Sequence, residues 1–335
     1  MANPCAVVPA FHLDDYLMNT TPTILTRVLA RVDEAEDIVS FELAALDEQA
    51  LPAFSAGSHI DVHIRPGLVR QYSLCNDPSE LHRYQIAVLR DPQSRGGSSA
   101  LHDSLQAGDV LQIGAPRNHF PLLGAPRYLL FAGGIGVTPI LCMAERLDCD
   151  GAAFTMHYCT RSAERTAFRQ RIADAPFAHR VQVHCDAAGM RLDLDAALAE
   201  APPDTHLYVC GPAGFIDAVS GAARRLGWSG DRIHVEHFGA APATQGVDKP
   251  FEVRIASSGQ TLTVPPGRSV TQVLEENGMA IPVSCEQGVC GTCITRVLEG
   301  AIEHRDHYFT DEEKAANDQF TPCCSRGRGT LVLDL

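Results

Sequence analysis

The sequence predicts a multidomain chain in three parts: an antiparallel β-barrel, an α/β domain built on a parallel sheet, and a compact α+β domain at the C-terminal end. Three observations carry this. Short β-rich runs parted by turn signals extend from about Thr23 to Gly114; beyond Pro126 apolar strands alternate with helical stretches; and a small, polar, proline-containing tether precedes the last segment. A length of 335 residues suits two or three domains that each bury a core, and an apolar share of 45% is ordinary for such a chain.

The net charge of −14 and a pI near 5.4 argue against a nucleic-acid surface and suit docking on a basic partner patch. Met1-Ala2-Asn3-Pro4-Cys5 is not a basic segment leading into an apolar run, and no stretch has the length of a membrane span, so a cytoplasmic protein is expected, most simply a monomer. Of the twelve cysteines, Cys5, Cys75, Cys142, Cys149, Cys159, Cys185, Cys210 and Cys324 are scattered and read as reduced, buried thiols.

In the first part, Ile24 to Val32 and Ile38 to Leu43 are β-rich, and Ser58-His59-Ile60-Asp61-Val62-His63-Ile64 alternates at period two. Turns at Arg65-Pro66-Gly67 and Ala107-Gly108-Asp109 separate the runs, which suggests a small barrel. Arg70-Gln71-Tyr72-Ser73-Leu74 then resembles the R-x-Y-S-L strand of the ferredoxin–NADP reductase superfamily. The resemblance implies a flavin domain, with Tyr72, Ser73 and Leu74 along the isoalloxazine and Arg70 at a flavin phosphate. Arg95-Gly96-Gly97-Ser98-Ser99 precedes a helical stretch, Ala100 to Leu105; Gly-Gly-Ser amides at a helix start beside an arginine are what a phosphate monoester requires. Relatives ending this domain in R-G-G-S hold FMN, and no insertion is evident for the adenylate of FAD, so FMN is preferred.

In the second part, Tyr128-Leu129-Leu130-Phe131 reads as a strand buried on both faces. It runs into Ala132-Gly133-Gly134-Ile135-Gly136-Val137-Thr138-Pro139, where Thr138 is expected to cap a helix whose first turn holds Pro139, leaving an N-terminus open to pyrophosphate. Strands at Phe154 to Tyr158, Arg180 to His184, Leu207 to Val209 and Ile233 to Phe238 predict a parallel sheet with helices on both faces. Cys210-Gly211-Pro212 resembles the C-G-P motif that lies beside nicotinamide in the same superfamily. Arg161 after the second strand could meet a 2′-phosphate, whereas Asp186 after the third could accept from a 2′-hydroxyl; the family resemblance favours NADH. Phe238 either ends the last strand's core or packs on the flavin, as an aromatic there does in FMN-type relatives.

The third part opens with a hairpin, Phe251 to Ile255 and Gln260 to Val264, followed by a helix over Ser269 to Asn277 with Gly278 past its end. Cys285, Cys290 and Cys293 stand at C-x4-C-x2-C, the ligand spacing of a plant-type [2Fe–2S] cluster, and Gly288 and Gly291 let the loop wrap closely. A structural zinc would need a second Cys/His pair of its own. The loop resembles that of plant-type ferredoxins, whose usual interval makes Cys323 the fourth ligand and leaves Cys324 its neighbour; the resemblance also implies the β-grasp plan. His304 and His307, near Asp306, read as a solvated turn.

Taken together, the motifs resemble the phthalate dioxygenase reductase and vanillate O-demethylase reductase family over nearly the whole chain. The implied division is 1–20 extension, 21–125 FMN barrel, 126–239 NAD domain, 240–249 linker and 250–335 ferredoxin domain. NADH gives electrons in pairs and a cluster of this type takes them singly, so a flavin between the two is required. The resemblance implies Ser73, Thr138, Cys210 and Phe238 as the residues at the reacting rings. It implies as partner a Rieske-type oxygenase acting on an aromatic acid or ether. The other readings are an oxygenase acting on a quaternary amine, or a redox-sensing iron–sulfur flavoprotein.

Overall fold

The computed structural model describes residues 23–65, 67–91, 96–239 and 248–335. The expected extension at 1–20, Arg95, Pro66, Cys5 and most of the expected linker lie outside them.

Seven strands form the first sheet: β1 (Thr23–Ala35), β2 (Ile38–Ala45), β3 (Ser58–Arg65), β4 (Leu68–Ser73), β5 (Tyr84–Leu89), β6 (Val110–Gly114) and β7 (Arg117–Asn118). The order β4-β3-β6-β1-β2-β5 is antiparallel throughout, and a bridge from Leu74 to Ile86 joins its two ends into a barrel. Inward positions at period two, among them Phe41, Leu43, Ile60, Val62, Ile86 and Val88, fill the lumen. Helix α1 (Gly97–Ser104) plugs one end through Leu101.

The second sheet is parallel, with β8 (Arg127–Gly133), β9 (Ala153–Thr160), β10 (Val181–Cys185), β11 (Thr205–Cys210) and β12 (Ile233–Glu236) in the order β10-β9-β8-β11-β12. Helices α2 (Val137–Cys149) and α3 (Arg169–Asp174) cover one face; α4 (Leu194–Ala199) and α5 (Ala213–Arg225) cover the other. Two details depart from the sequence reading. Thr138 does not cap α2: Gly136 is the N-cap, Thr138 sits inside the helix, and its hydroxyl donates to the Ile135 carbonyl at 3.1 Å. The last strand stops at Glu236, so His237 and Phe238 leave the sheet, and Phe238 is 37% exposed rather than a core residue.

The third domain holds β13 (Phe251–Ile255), β14 (Thr261–Val264), α6 (Val270–Glu276), β15 (Thr295–Glu299), β16 (Ile302–Glu303), α7 (Asp311–Ala316), β17 (Gln319–Phe320), β18 (Arg326–Gly327) and β19 (Leu331–Leu333). Its main sheet runs β14-β13-β19-β15-β17, with β19 parallel to β13, and α6 lies on the sheet through Val270, Val273 and Leu274. Helix α6 starts where Ser269 and Gln272 form a reciprocal capping box, and Gly278 follows it with φ 76°.

Several of the leftover cysteines are buried as expected, but Cys149 at the end of α2 is exposed and Cys159 and Cys324 are only partly covered. The expected solvated turn at His304 is also corrected. Asp306 is buried and accepts from the Phe309 amide, and His304 Nδ1 lies 3.1 Å from it; His307 alone of the pair is exposed. No described helix is long and apolar enough to cross a membrane.

Candidate functional site

The flavin-strand residues sit where β4 faces the other two domains. Ser73 and Leu74 are buried, and Arg70 and Tyr72 are half-buried. Gly96 takes φ 93°, a value that favours glycine, and turns the chain into α1. Arg70 lies directly over that helix start, since a Cβ on Gly97 would fall 2.7 Å from Arg70 Cγ. A guanidinium beside the first amides of a helix suits an anion, and the Ser98 hydroxyl, which accepts from the Asp91 amide, stands next to it. Arg70, Tyr72, Ser73, Ser98, Thr138 and Phe238 line a cavity of about 240 Å³. Thr138 therefore reaches the site from the helix interior rather than as a cap.

The nicotinamide motifs meet at the C-terminal ends of β8 and β11, where the strand order reverses and open α/β sheets bind ligands. They interlock backbone to backbone. A Cβ on Gly136 would lie 2.3 Å from the Cys210 carbonyl oxygen, and one on Gly211 3.0 Å from Gly133 Cα. Gly133 and Gly211 also carry the edge of Phe215. Close mutual packing accounts for Gly133, Gly136 and Gly211, while Gly134, at φ 53°, makes the turn. Pro212 precedes α5, and Pro139 lies in the first turn of α2. Arg161 and Asp186 are both exposed on adjoining turns, tied by an Ala187 amide donating to the Arg161 carbonyl at 3.0 Å.

One residue of this site was missed in the sequence. Glu236, the last of β12, lies beside Ser73 and Cys210, with Cys210 Sγ 3.9 Å from its Oε2. Burial pushes its carboxyl up to about 8, and the same burial pushes the Cys210 thiol well above its ordinary range. A glutamate at a strand end carries no local signal; only the register of β11 against β12, Cys210 opposite Glu236, brings it here.

The cluster loop is the most constrained segment. Cys285, Cys290, Cys293 and Cys323 are all buried, and the Gln287 amide points at Cys285 Sγ at 3.3 Å. Gly288 and Gly291 take φ 68° and 71°, and neither tolerates a side chain: a Cβ would fall 2.3 Å from Cys324 Sγ and 2.4 Å from the Tyr308 ring. Cys285 neighbours Cys290, and Cys323 neighbours both Cys293 and Cys324. Four buried thiols at this spacing, with the Gln287 amide aimed at one of them, fit a two-iron cluster; among the described residues no three His, Cys, Asp or Glu side chains are grouped for a single metal ion. A second cavity of about 230 Å³ continues from Arg70, Ser73, Glu236 and Phe238 to Cys285 and Tyr308.

A barrel with an anion cradle, a parallel sheet with a glycine-lined crevice, and a buried four-thiol loop define a modular electron-transfer reductase. Residues 253–327 match the 2Fe-2S iron-sulfur cluster binding domain, and residues 120–233 match the N-terminal domain of dimethylamine monooxygenase subunit DmmA-like proteins. Vanillate O-demethylase oxidoreductase from Pseudomonas putida is 55% identical over 92% of this chain and 98% of its own length. The carnitine monooxygenase reductase subunit of Escherichia coli strain K12 is 41% identical over 90% and 94%. The solved structure of phthalate dioxygenase reductase, described as modular for electron transfer from pyridine nucleotides to [2Fe-2S], superposes with a TM-score of 0.77 at 37% identity and covers 93% of this chain and 98% of that one.

The chain belongs to the family of oxygenase reductases that includes the phthalate dioxygenase and vanillate O-demethylase reductases. It is an oxidoreductase that carries a flavin and a [2Fe–2S] cluster and serves an oxygenase.

Proposed function

We propose that this chain is the NADH-dependent, FMN-containing reductase of a separate Rieske-type oxygenase acting on an aromatic acid or ether. The observation that carries the reading is the continuous cavity wall from Arg70 and Ser73, past Glu236 and Phe238, to Cys285. When bound, the flavin takes electrons from the nicotinamide as a pair and passes them singly to the [2Fe–2S] group.

The chain's own residues supply position rather than acid–base chemistry. Arg70, Gly96, Gly97 and Ser98 would hold a terminal phosphate, as FMN requires. Tyr72, Ser73 and Leu74 would border the isoalloxazine. Gly133, Gly134, Gly136 and Pro139 would admit the pyrophosphate, Cys210, Gly211 and Pro212 would let the nicotinamide approach, and Phe238 would pack on the flavin from the cavity wall. Asp186 would accept from a ribose 2′-hydroxyl, which supports NADH over NADPH. Cys285, Cys290, Cys293 and Cys323 would ligate the cluster. The three separate main sheets support a domain division of 21–125, 126–239 and 250–335.

The aromatic partner rests on the 55% identity to a vanillate O-demethylase oxidoreductase; the carnitine-linked relative supports the amine alternative less strongly, at 41%. The test is reconstitution. Purified reductase with NADH and a vanillate-type oxygenase should consume vanillate and release its demethylated product. Turnover only with a quaternary-amine oxygenase would reverse the choice, and NADPH outcompeting NADH would overturn the role given to Asp186.

A further inference from the structure

Asp61, near the middle of β3, is not part of any motif, yet it is where the barrel grips the third domain. Its side chain is buried to within 11% of full enclosure. Its Oδ1 accepts from three donors that come from three places: Gln71 Nε2 at 3.0 Å, Arg117 at 2.7 Å and the Ser284 hydroxyl at 2.8 Å. Gln71 lies directly opposite Asp61 in the β3–β4 pairing, between Arg70 and Tyr72 of the flavin strand. Arg117 comes from β7. Ser284, 223 residues away in sequence, is buried and immediately precedes Cys285. The Gln71 amide also reaches Ser284 Oγ at 3.3 Å, which closes a triangle between the flavin strand, the barrel wall and the cluster loop. The carboxylate cannot swing away freely, because Gly114 packs against it: a Cβ there would lie 3.2 Å from Asp61 Cβ.

We propose that Asp61 is a positioning residue for electron delivery, the carboxylate that seats the Ser284–Cys293 loop against the strand bearing Arg70, Tyr72 and Ser73. An ionised acceptor shared by three buried or half-buried donors makes strong, directional bonds; Gln71 and Arg117 hold the carboxylate in place within the barrel, and the buried Ser284 hydroxyl would be left short of its acceptor if the loop slid. Arg70 and Glu286, 3.6 Å apart, and the His119 and Tyr308 rings, with centres 6.4 Å apart, adjoin the same seam. The Asp61 triangle joins the flavin strand, the barrel wall and the loop at one atom, and so holds the separation and orientation across which electrons cross from the barrel site to the thiol loop. It rests on reading Arg70 to Leu74 as the flavin strand and adds no step to the electron path.

The experiment uses the full-length holoprotein of wild type, Asp61→Asn, Ser284→Ala and the double variant, mixed anaerobically with NADH. Flavin bleaching and cluster bleaching are followed separately, and amide hydrogen exchange of the 284–293 segment is measured without substrate. A misplacement of about 1 Å can cost on the order of 100-fold in rate. Each single variant should slow cluster reduction by about tenfold or more and leave NADH-driven flavin bleaching within about twofold. Exchange in 284–293 should quicken in both, and the double variant should be no worse than the worse single one, as expected of groups in one network. The reduced cluster's paramagnetic resonance spectrum should keep its shape. Unchanged cluster reduction and exchange, equal slowing of both steps, or an altered spectrum would each overturn the proposal. A wild type in which NADH bleaches no flavin would overturn the flavin-strand reading itself.

Discussion

The barrel touches its two neighbours in opposite ways. Toward the nicotinamide domain it shares one apolar core: Ile38, Ala56, Cys75, Ala87 and Phe120 of the barrel pack in the same cluster as Leu130, Ile140, Met143 and Phe168. Arg171 of α3 crosses that seam, donating to Glu145 at 2.7 Å and, on the barrel side, to the Gln85 side chain at 2.6 Å and the Cys75 carbonyl at 2.8 Å. Toward the ferredoxin-like domain no core is shared among the described residues; that domain's apolar cluster contains only its own residues, and the seam is mainly polar, made by Asp61, Gln71, Ser284, Arg70 and Glu286 with one ring contact between His119 and Tyr308. Burying a continuous apolar surface fuses two folding units, whereas hydrogen bonds exchanged for water contribute little net energy and mainly fix geometry. The barrel and the α/β domain are thus built into one unit, and the third domain is docked on it.

The comparison can be broken from either side. The largest effect expected is at the cluster. Cys293→Ser should abolish NADH-dependent cytochrome c reduction while leaving flavin bleaching by NADH intact, measured on the same preparation. Loss of both activities would mean that the third domain supports the fused pair after all. On the fused side, Arg171→Ala leaves the Glu145 carboxylate enclosed without its cation, and burial already pushes that carboxyl upward. Breaking a buried pair in this way costs about 3–5 kcal/mol. The denaturation midpoint of the barrel–nicotinamide unit should drop accordingly, with the visible absorption of the cluster persisting beyond it; a joint loss of both signals would deny the separation.

A subtler test sits where the two seams meet. Glu236 ionises near 4.5 when unfolded but near 8 in the fold, so between those values the folded state holds the extra proton. Stability should therefore drift down as pH rises through that window and level off above about 8, and Glu236→Gln should flatten the drift in urea midpoints. Flavin bleaching by NADH should also slow above pH 8 in the wild type, because an ionised carboxylate beside Ser73 and Cys210 opposes arriving electron density; the glutamine variant should show no such limb. The smallest effect belongs to Cys324→Ser. Its sulfur fills the space over Gly288 and lies 3.3 Å from the Thr321 hydroxyl, contacts a serine nearly keeps, so the cost should be about 1 kcal/mol or less with the cluster retained. Loss of the cluster in that variant would move the fourth ligand from Cys323.

What the sequence made legible was whatever is local. Period-two alternation located the barrel strands, continuous apolar runs the parallel ones, and C-x4-C-x2-C with its two glycines the cluster loop, because each is a constraint among near neighbours. Thr138 was misplaced by two positions: the glycine turn tightens into the helix earlier than a threonine cap requires, and Gly136 takes the N-cap. Asp61, Gln71, Ser284, Glu236 and Arg171 were illegible for one shared reason. Each acts through a partner on another strand or in another domain, and none sits in a spacing that marks it; the Asp61–Ser284 bond spans 223 residues.

Anaerobic stopped-flow absorbance of the wild-type holoprotein with NADH tests the central claim most directly. The account predicts flavin bleaching first and cluster bleaching after it, in one chain and without added partner. Cluster reduction that precedes the flavin, or proceeds in protein stripped of flavin, would contradict it.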